Sequence, residues 1–242
     1  MVITMNREVF QLSIYGATFV GLLDGVLDLA QIKKYGDFGI GAIESLEGEL
    51  TLSNGIFYHA NSDGDIQTPE PHFKTPKMTV TKYIADRKFT IDEEITYPTF
   101  KKILMGKLPS LNYIYAIRVK ATYKWVKLMS YPKQVKPYPT IDVISGNKII
   151  NTINNIEGNM IGFYTPLPLV DLCGPSLHFH FFDSEHKLGG HIVDFCFSGI
   201  TVEYQYKNTL NIQLPDNDDF HKSNLDGVKE QLDKIISSLA NS

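Results

Sequence analysis

Apolar and polar residues alternate with a period of two over much of this chain, the pattern of half-buried β-strands. Alternation or short apolar runs predict strands at 39–44, 49–52, 56–60, 77–84, 160–164, 177–182, 191–197, 201–206 and 209–214. The segment 113–131 is long and aromatic, and a reversal near Ala121-Thr122 would divide it. Asn54-Gly55 between two of these strands signals a two-residue hairpin turn, because both residue types tolerate positive φ. Helical periodicity is rarer. The segment 27–35 stops before Gly36, a suitable residue just past a helix end. The segment 98–105 opens with Pro98, at home in a first turn. A broken helical pattern runs through 141–153. At 225–239, Leu225, Val228, Leu232, Ile235, Ile236 and Leu239 form one apolar stripe behind a Ser223-Asn224 cap. The fold class is α+β: two mixed β-sheet-rich domains with a few helices. Pro132, Pro137 and Pro139 mark the boundary. This divides the chain into an N-terminal sheet domain, 1–135, and a C-terminal one, 136–242, with the C-terminal helix.

Composition narrows the function. The chain has 242 residues, 43% hydrophobic and 21% charged, so it can bury a sizeable core. Its net charge of -4 argues against non-specific nucleic-acid binding, which needs a basic footprint. No apolar run reaches the roughly 18 residues of a membrane span. The first 25 residues lack a basic start before an apolar block, and Asp24 interrupts the best stretch. Two cysteines, Cys173 and Cys196, make no disulfide framework. A cytoplasmic location is the expectation.

The candidate chemistry lies in Leu177-His178-Phe179-His180 and Gly189-Gly190-His191. His178 and His180 lie two apart on a predicted strand and share a face. A two-residue loop at Glu185-His186 would make a hairpin in which His180 faces His191. Opposed Cβ atoms would then be about 5 Å apart, with His178 on the diagonal within about 8 Å. Three imidazoles converging without a fourth protein ligand match a catalytic zinc site with an open position. That puts the metal site on strands of the C-terminal half. Glu49 starts another strand, whose opposite face carries Leu50 and Leu52. Alone, it reads as a solvated carboxylate or as a general acid/base beside the metal. Between Tyr113 and Tyr138, Arg118, Lys120, Lys124, Lys127, Lys133 and Lys136 interleave with aromatics, and no acidic residue occurs. This can be a nucleic-acid surface, which the negative net charge disfavours, a solvated basic face, or a positive lining for a small anion. No phosphate-binding glycine loop and no calcium-loop spacing is present.

Several of these blocks together resemble the bacterial acetolactate decarboxylases. They are Gly36-Asp37-Phe38-Gly39-Ile40-Gly41, Leu46-Glu47-Gly48-Glu49, Asn54-Gly55 with Tyr58, Ile161-Gly162-Phe163-Tyr164-Thr165-Pro166, and the histidine segment through Phe195. The resemblance implies a zinc enzyme, usually dimeric, that converts 2-acetolactate to acetoin and carbon dioxide. It implies that His178, His180 and His191 bind the metal and that Glu49 is an active-site carboxylate. The substrate would be a small anionic 2-hydroxy-3-keto acid. Two features depart from the pattern. Where the family carries an arginine ahead of the segment matching Gln134-Val135-Lys136-Pro137-Tyr138, this chain has Met129. The family's C-terminal glutamate would align near Ile236. Lys127, two residues before Met129 and on the same strand face, is the expected substitute for the arginine. The departures keep a second reading open: a divergent paralogue that retains the metal site but binds a small anion or acts on a related 2-hydroxy-3-keto acid. A cupin-like arrangement of His178, His180 and Glu185 ranks below both.

Overall fold

The computed structural model describes residues 6–226 and Val228. The chain opens with β1 (Glu8–Leu12), α1 (Tyr15–Phe19), β2 (Leu27–Asp28), α2 (Leu29–Ile32) and β3 (Phe38–Ala42). Next come β4 (Glu49–Ser53), β5 (Ile56–Ala60), β6 (Ile66–Gln67), β7 (Lys74–Thr75), β8 (Lys77–Thr81), β9 (Arg87–Ile91) and β10 (Ile95–Thr96). The rest is α3 (Tyr97–Lys107), β11 (Ile114–Ser130), α4 (Ile141–Gly146), β12 (Ile149–Tyr164), α5 (Val170–Cys173), β13 (Leu177–Asp183), β14 (Gly189–Lys207), β15 (Thr209–Gln213) and α6 (Asp218–Lys222).

Two large sheets dominate, and the α+β class with few helices follows the alternating pattern. The first has seven strands in the order β15-β1-β8-β3-β4-β5-β6. The second runs β10-β14-β11-β12-β13, with β9 also on β14. Because β14 pairs with β13 as well as with β11, strands β11 to β14 close on themselves around His191. Sheet membership does not follow the two halves of the chain. Strands β9, β10 and β11 precede residue 135 yet belong to the second sheet. Strand β15 returns to pair parallel with β1 in the first. The expected division at 135/136 therefore cuts across both sheets, because long-range strand pairing sets the units.

Inside the curled second sheet, Ile117, Val119 and Tyr123 of β11, Phe179 and Phe181 of β13, and Phe195 and Phe197 of β14 enclose Phe100 and Leu104 of α3. Phe100 meets Phe179, Phe195 and Phe197 edge-on, a favoured aromatic geometry. The outer face of this sheet meets the first sheet, where Ile114, Ile161, Phe163 and Phe182 pack with Val9, Phe38, Ile40 and Tyr58. The far side of the first sheet, with Leu50, Leu52 and Val80, is covered by Leu29 and Ile32 of α2.

Several local expectations change. Strand β11 runs straight through Ala121-Thr122 without a reversal. Register shifts against β14, at Lys120/Thr122 and Tyr123/Trp125, take up the irregularity. The second shift exchanges faces, so that Tyr123 and Val126, three apart, both enter the core. The 141–153 pattern divides into α4 and the start of β12. The two strands expected between 191 and 206 are one, β14. The helix expected at 27–35 is a single turn, α2, held by an Asp28–Gln31 capping box. The Asn54-Gly55 hairpin forms with both residues at positive φ. The helix at 225–239 lies outside the described residues.

Candidate metal centre

Strands β13 and β14 form the expected hairpin, with His180 opposite His191. Its loop is longer than the two residues expected, spanning 184–187, but the register is unchanged. The Asp183 carboxylate accepts hydrogen bonds from the backbone N–H groups of Glu185, Lys187 and Leu188 and so replaces the missing ladder at the tip. His186 is exposed there and lies beside Tyr58. On its other edge β13 pairs with β12, where Gly162 faces Phe179. A Cβ on Gly162 would sit 1.9 Å from the His178 carbonyl oxygen, so only glycine lets the two strands approach at this level.

Alternation then sorts the hairpin. Phe179 and Phe181 enter the core, and His178, His180 and His191 face the first sheet. Ring centroids are 5.3 Å apart for His178 and His180, 4.9 Å for His178 and His191, and 5.6 Å for His180 and His191. One nitrogen from each ring lies within 4.8 Å of the others, close enough to hold a metal ion. Burial pushes His178 well below its usual pKa, reinforced by its two histidine neighbours and Lys77. Burial also brings His191 down to about 4, against the opposing pull of Glu49. Both imidazoles are therefore neutral at pH 7, the form that ligates a metal.

His180 is the most constrained of the three, with 0% of its surface exposed. Its Nδ1 donates to the Leu50 carbonyl at 3.1 Å and lies 3.3 Å from the Thr51 hydroxyl. A backbone carbonyl on Nδ1 leaves Nε2 as the lone-pair nitrogen. That atom is buried and has no hydrogen-bond partner. It lies 3.2 Å from Glu49 Oε2, without the alignment of a hydrogen bond. Two electron-rich atoms this close repel unless a cation or a proton bridges them. The donor set therefore fits a metal ion.

Glu49 is not solvated. It is 7% exposed and shares with Thr51 the face of β4 turned to the second sheet, while Leu50 and Leu52 fill the core behind. Tyr15 and Tyr131 border it; burial raises both phenols, and the charge of Glu49 raises them further. The Gln134–Tyr138 segment is fastened beside the site. Gln134 N–H donates to the Ser45 carbonyl at 2.8 Å, and Gly48 N–H donates to the Tyr131 carbonyl at 3.1 Å. Met129 lies opposite His191 on β11. Lys127 lies two residues before it on the same strand, opposite Asp194 and Thr152. Among the described residues, no hydrogen bond, ion pair or charge interaction joins Lys127 to the histidines or to Glu49. The position near Ile236 lies outside the described residues.

Sequence reasoning missed one residue. Lys77 opens β8 and is partly buried, with Nζ 4.0 Å from the centroid of the Tyr15 ring. Burial lowers its amine to about 8, while Glu49 acts in the opposite sense. In sequence it is one lysine at the start of an alternating strand, which reads as solvated. No local signal separates it from the chain's other strand lysines.

These features define a β-rich, two-sheet protein with a strand-borne three-histidine centre and a buried carboxylate beside it. The sequence profile of the alpha-acetolactate decarboxylase family matches residues 9–227, and the chain belongs to that family. The alpha-acetolactate decarboxylase of Bacillus subtilis (strain 168) is 34% identical over 220 residues, spanning 90% of this chain and 86% of that protein. The one from Brevibacillus brevis is 32% identical over 223 residues, 92% of this chain and 78% of the relative. The crystal structure of the alpha-acetolactate decarboxylase from Bacillus subtilis strain 168 superposes with a TM-score of 0.88 at 33% identity, covering 90% of this chain and 94% of that one.

Proposed function

We propose that this protein is a zinc-dependent carboxy-lyase that converts 2-acetolactate to acetoin and carbon dioxide. The observation that carries the reading is the unpartnered His180 Nε2, facing Glu49 Oε2 within the three-histidine cluster. His178, His180 and His191 would hold the ion, and their all-nitrogen set with an open position suits zinc. When bound, the ion supplies Lewis-acid stabilisation for oxygen-centred negative charge. In the reaction, the bond between the carboxylate and the substrate's hydroxyl-bearing carbon breaks. Its electron pair moves toward the neighbouring ketone oxygen, and carbon dioxide leaves. Glu49 in its acid form then delivers its proton to the same carbon, which completes acetoin and leaves Glu49 as the carboxylate. The two sheets exclude water from this step, because Glu49 and His180 are both buried between them.

The same reading makes the protein a cytoplasmic homodimer. Both cysteines are free and buried, in keeping with a reducing compartment. Residues 149–154 of β12 pair with β11 alone, leaving an open strand edge that a second copy can cover. None of the described helices is long and apolar enough to cross a membrane.

Acetoin release by the purified, metal-analysed protein supplied with racemic acetolactate tests the function. Acetoin formation no faster than the spontaneous rate overturns it. The paralogue reading rests on Met129 in the place of an arginine. It requires that small 2-hydroxy acids bind without any acetoin being formed.

A further inference from the structure

We propose that Lys77 is the residue that binds the substrate's carboxylate; this rests on the decarboxylase reading and extends it. The amine lies over Tyr15, and Tyr15 leads directly to the histidines. A Cβ built on Gly174 would lie 3.2 Å from the Tyr15 ring and 3.6 Å from His178 Nδ1, so Gly174 leaves a gap bordered by both. The charge of Lys77 is felt by Glu49, His178 and His191. Among the described residues it is the only lysine or arginine whose charge reaches either of these two imidazoles.

Lys77 also differs from six of the exposed lysines. Lys120, Lys124, Lys133, Lys136, Lys187 and Lys222 each pair with a carboxylate. No described carboxylate forms an ion pair with Lys77. Contact with the Tyr15 face orients the amine without neutralising it. With a divalent ion on neutral imidazoles and the Lys77 ammonium, the centre is net positive even when Glu49 is ionised. A small anion is the ligand that balances it. Met129, opposite His191, brings no charge to the other side.

The chemistry sets which kinetic constant must change. The carboxylate loses its charge as carbon dioxide forms, so a cation held against it stabilises bound substrate more than the transition state. Losing the contact therefore raises KM without lowering kcat.

The test compares wild type with Lys77→Met, Lys77→Gln and Lys77→Arg, all metal-loaded and checked for zinc content and melting temperature. Calorimetry measures binding of 2-hydroxy-2-methylpropanoate and of its uncharged carboxamide, neither of which can decarboxylate to acetoin. Wild type should prefer the acid by about 10- to 100-fold, the range of a charge-assisted hydrogen bond. Both uncharged variants should lose most of that preference, and Lys77→Arg should keep it. On acetolactate, KM should rise by a similar factor in Lys77→Met, with kcat no lower than wild type. An unchanged acid-to-amide ratio in a folded, zinc-replete uncharged variant overturns the assignment, as does a fall in kcat with KM unchanged. If wild type makes no acetoin, the decarboxylase reading fails, and the binding ratio still decides whether Lys77 holds a carboxylate.

Discussion

The two faces of strand β13 carry different tasks. On the inner face, Phe179 and Phe181 join the aromatic cluster around Phe100. On the outer face, one residue away each time, His178 and His180 turn to the gap between the sheets, where His180 meets Glu49. Burying the rings contributes about 1.5–3 kcal/mol for each side chain. Burying neutral imidazoles beside a carboxylate costs stability until something satisfies them. The period of two thus lets one short strand anchor the fold with half of its side chains and hold a reactive arrangement with the other half.

Attacking the outer face should affect chemistry first. The double variant His178→Ala/His191→Ala should lose essentially all of the roughly one zinc per chain expected of a three-histidine site, and all activity with it. Metal analysis that still found a full complement of zinc would move the ion elsewhere. The next largest effect is expected from Glu49→Gln, which keeps nearly the same shape and should keep the zinc. Loss of a positioned proton donor should lower turnover by about 100- to 10,000-fold. Activity within threefold of wild type would remove Glu49 from the chemistry.

Attacking the inner face should do the reverse. Phe100→Ala should lower unfolding free energy by about 3–5 kcal/mol, as for other large-to-small core changes. Its activity per folded molecule should stay near wild type, as read by denaturant titration alongside the acetoin assay. A severe loss of turnover at unchanged stability would erase the distinction between the faces.

The smallest effect expected is on pH dependence. In the metal-free protein, His178 and His191 titrate below their ordinary value of 6.5, His191 at about 4. The unfolded chain therefore takes up protons before the folded one does as the pH falls. Stability from these groups is complete above about 6.5 and declines as the pH drops toward 4. The His178→Ala/His191→Ala variant should show a shallower decline over that range. Equal slopes in thermal melts across the range would show that the two imidazoles are not held neutral by the fold.

Much of the centre is written locally. Alternation through His178 and His180, a polar loop and His191 at matching parity determine the shared face and the His180–His191 register. A change of loop length from two residues to four alters neither, because both strands keep their pairing sum. Asn54-Gly55 determines its hairpin for the same reason: its φ requirements involve no distant partner. The bulge in β11 reads in the sequence as a reversal near Ala121-Thr122, which the strand does not make, because whether a chain turns back or shifts register depends on the strand beside it. The return of β15 to β1, and with it the failure of a boundary at 135/136, depended likewise on pairing between distant segments. Glu49 and Lys77 depended on tertiary structure most of all. By sequence each is a charged residue at the start of a strand, and such positions face water unless another sheet covers them. Stacking the second sheet over the first decided that Glu49 meets His180 and that Lys77 reaches the edge of the same centre. Burial and charge are properties of what surrounds a side chain, and for Glu49 these surroundings come from a segment over a hundred residues away.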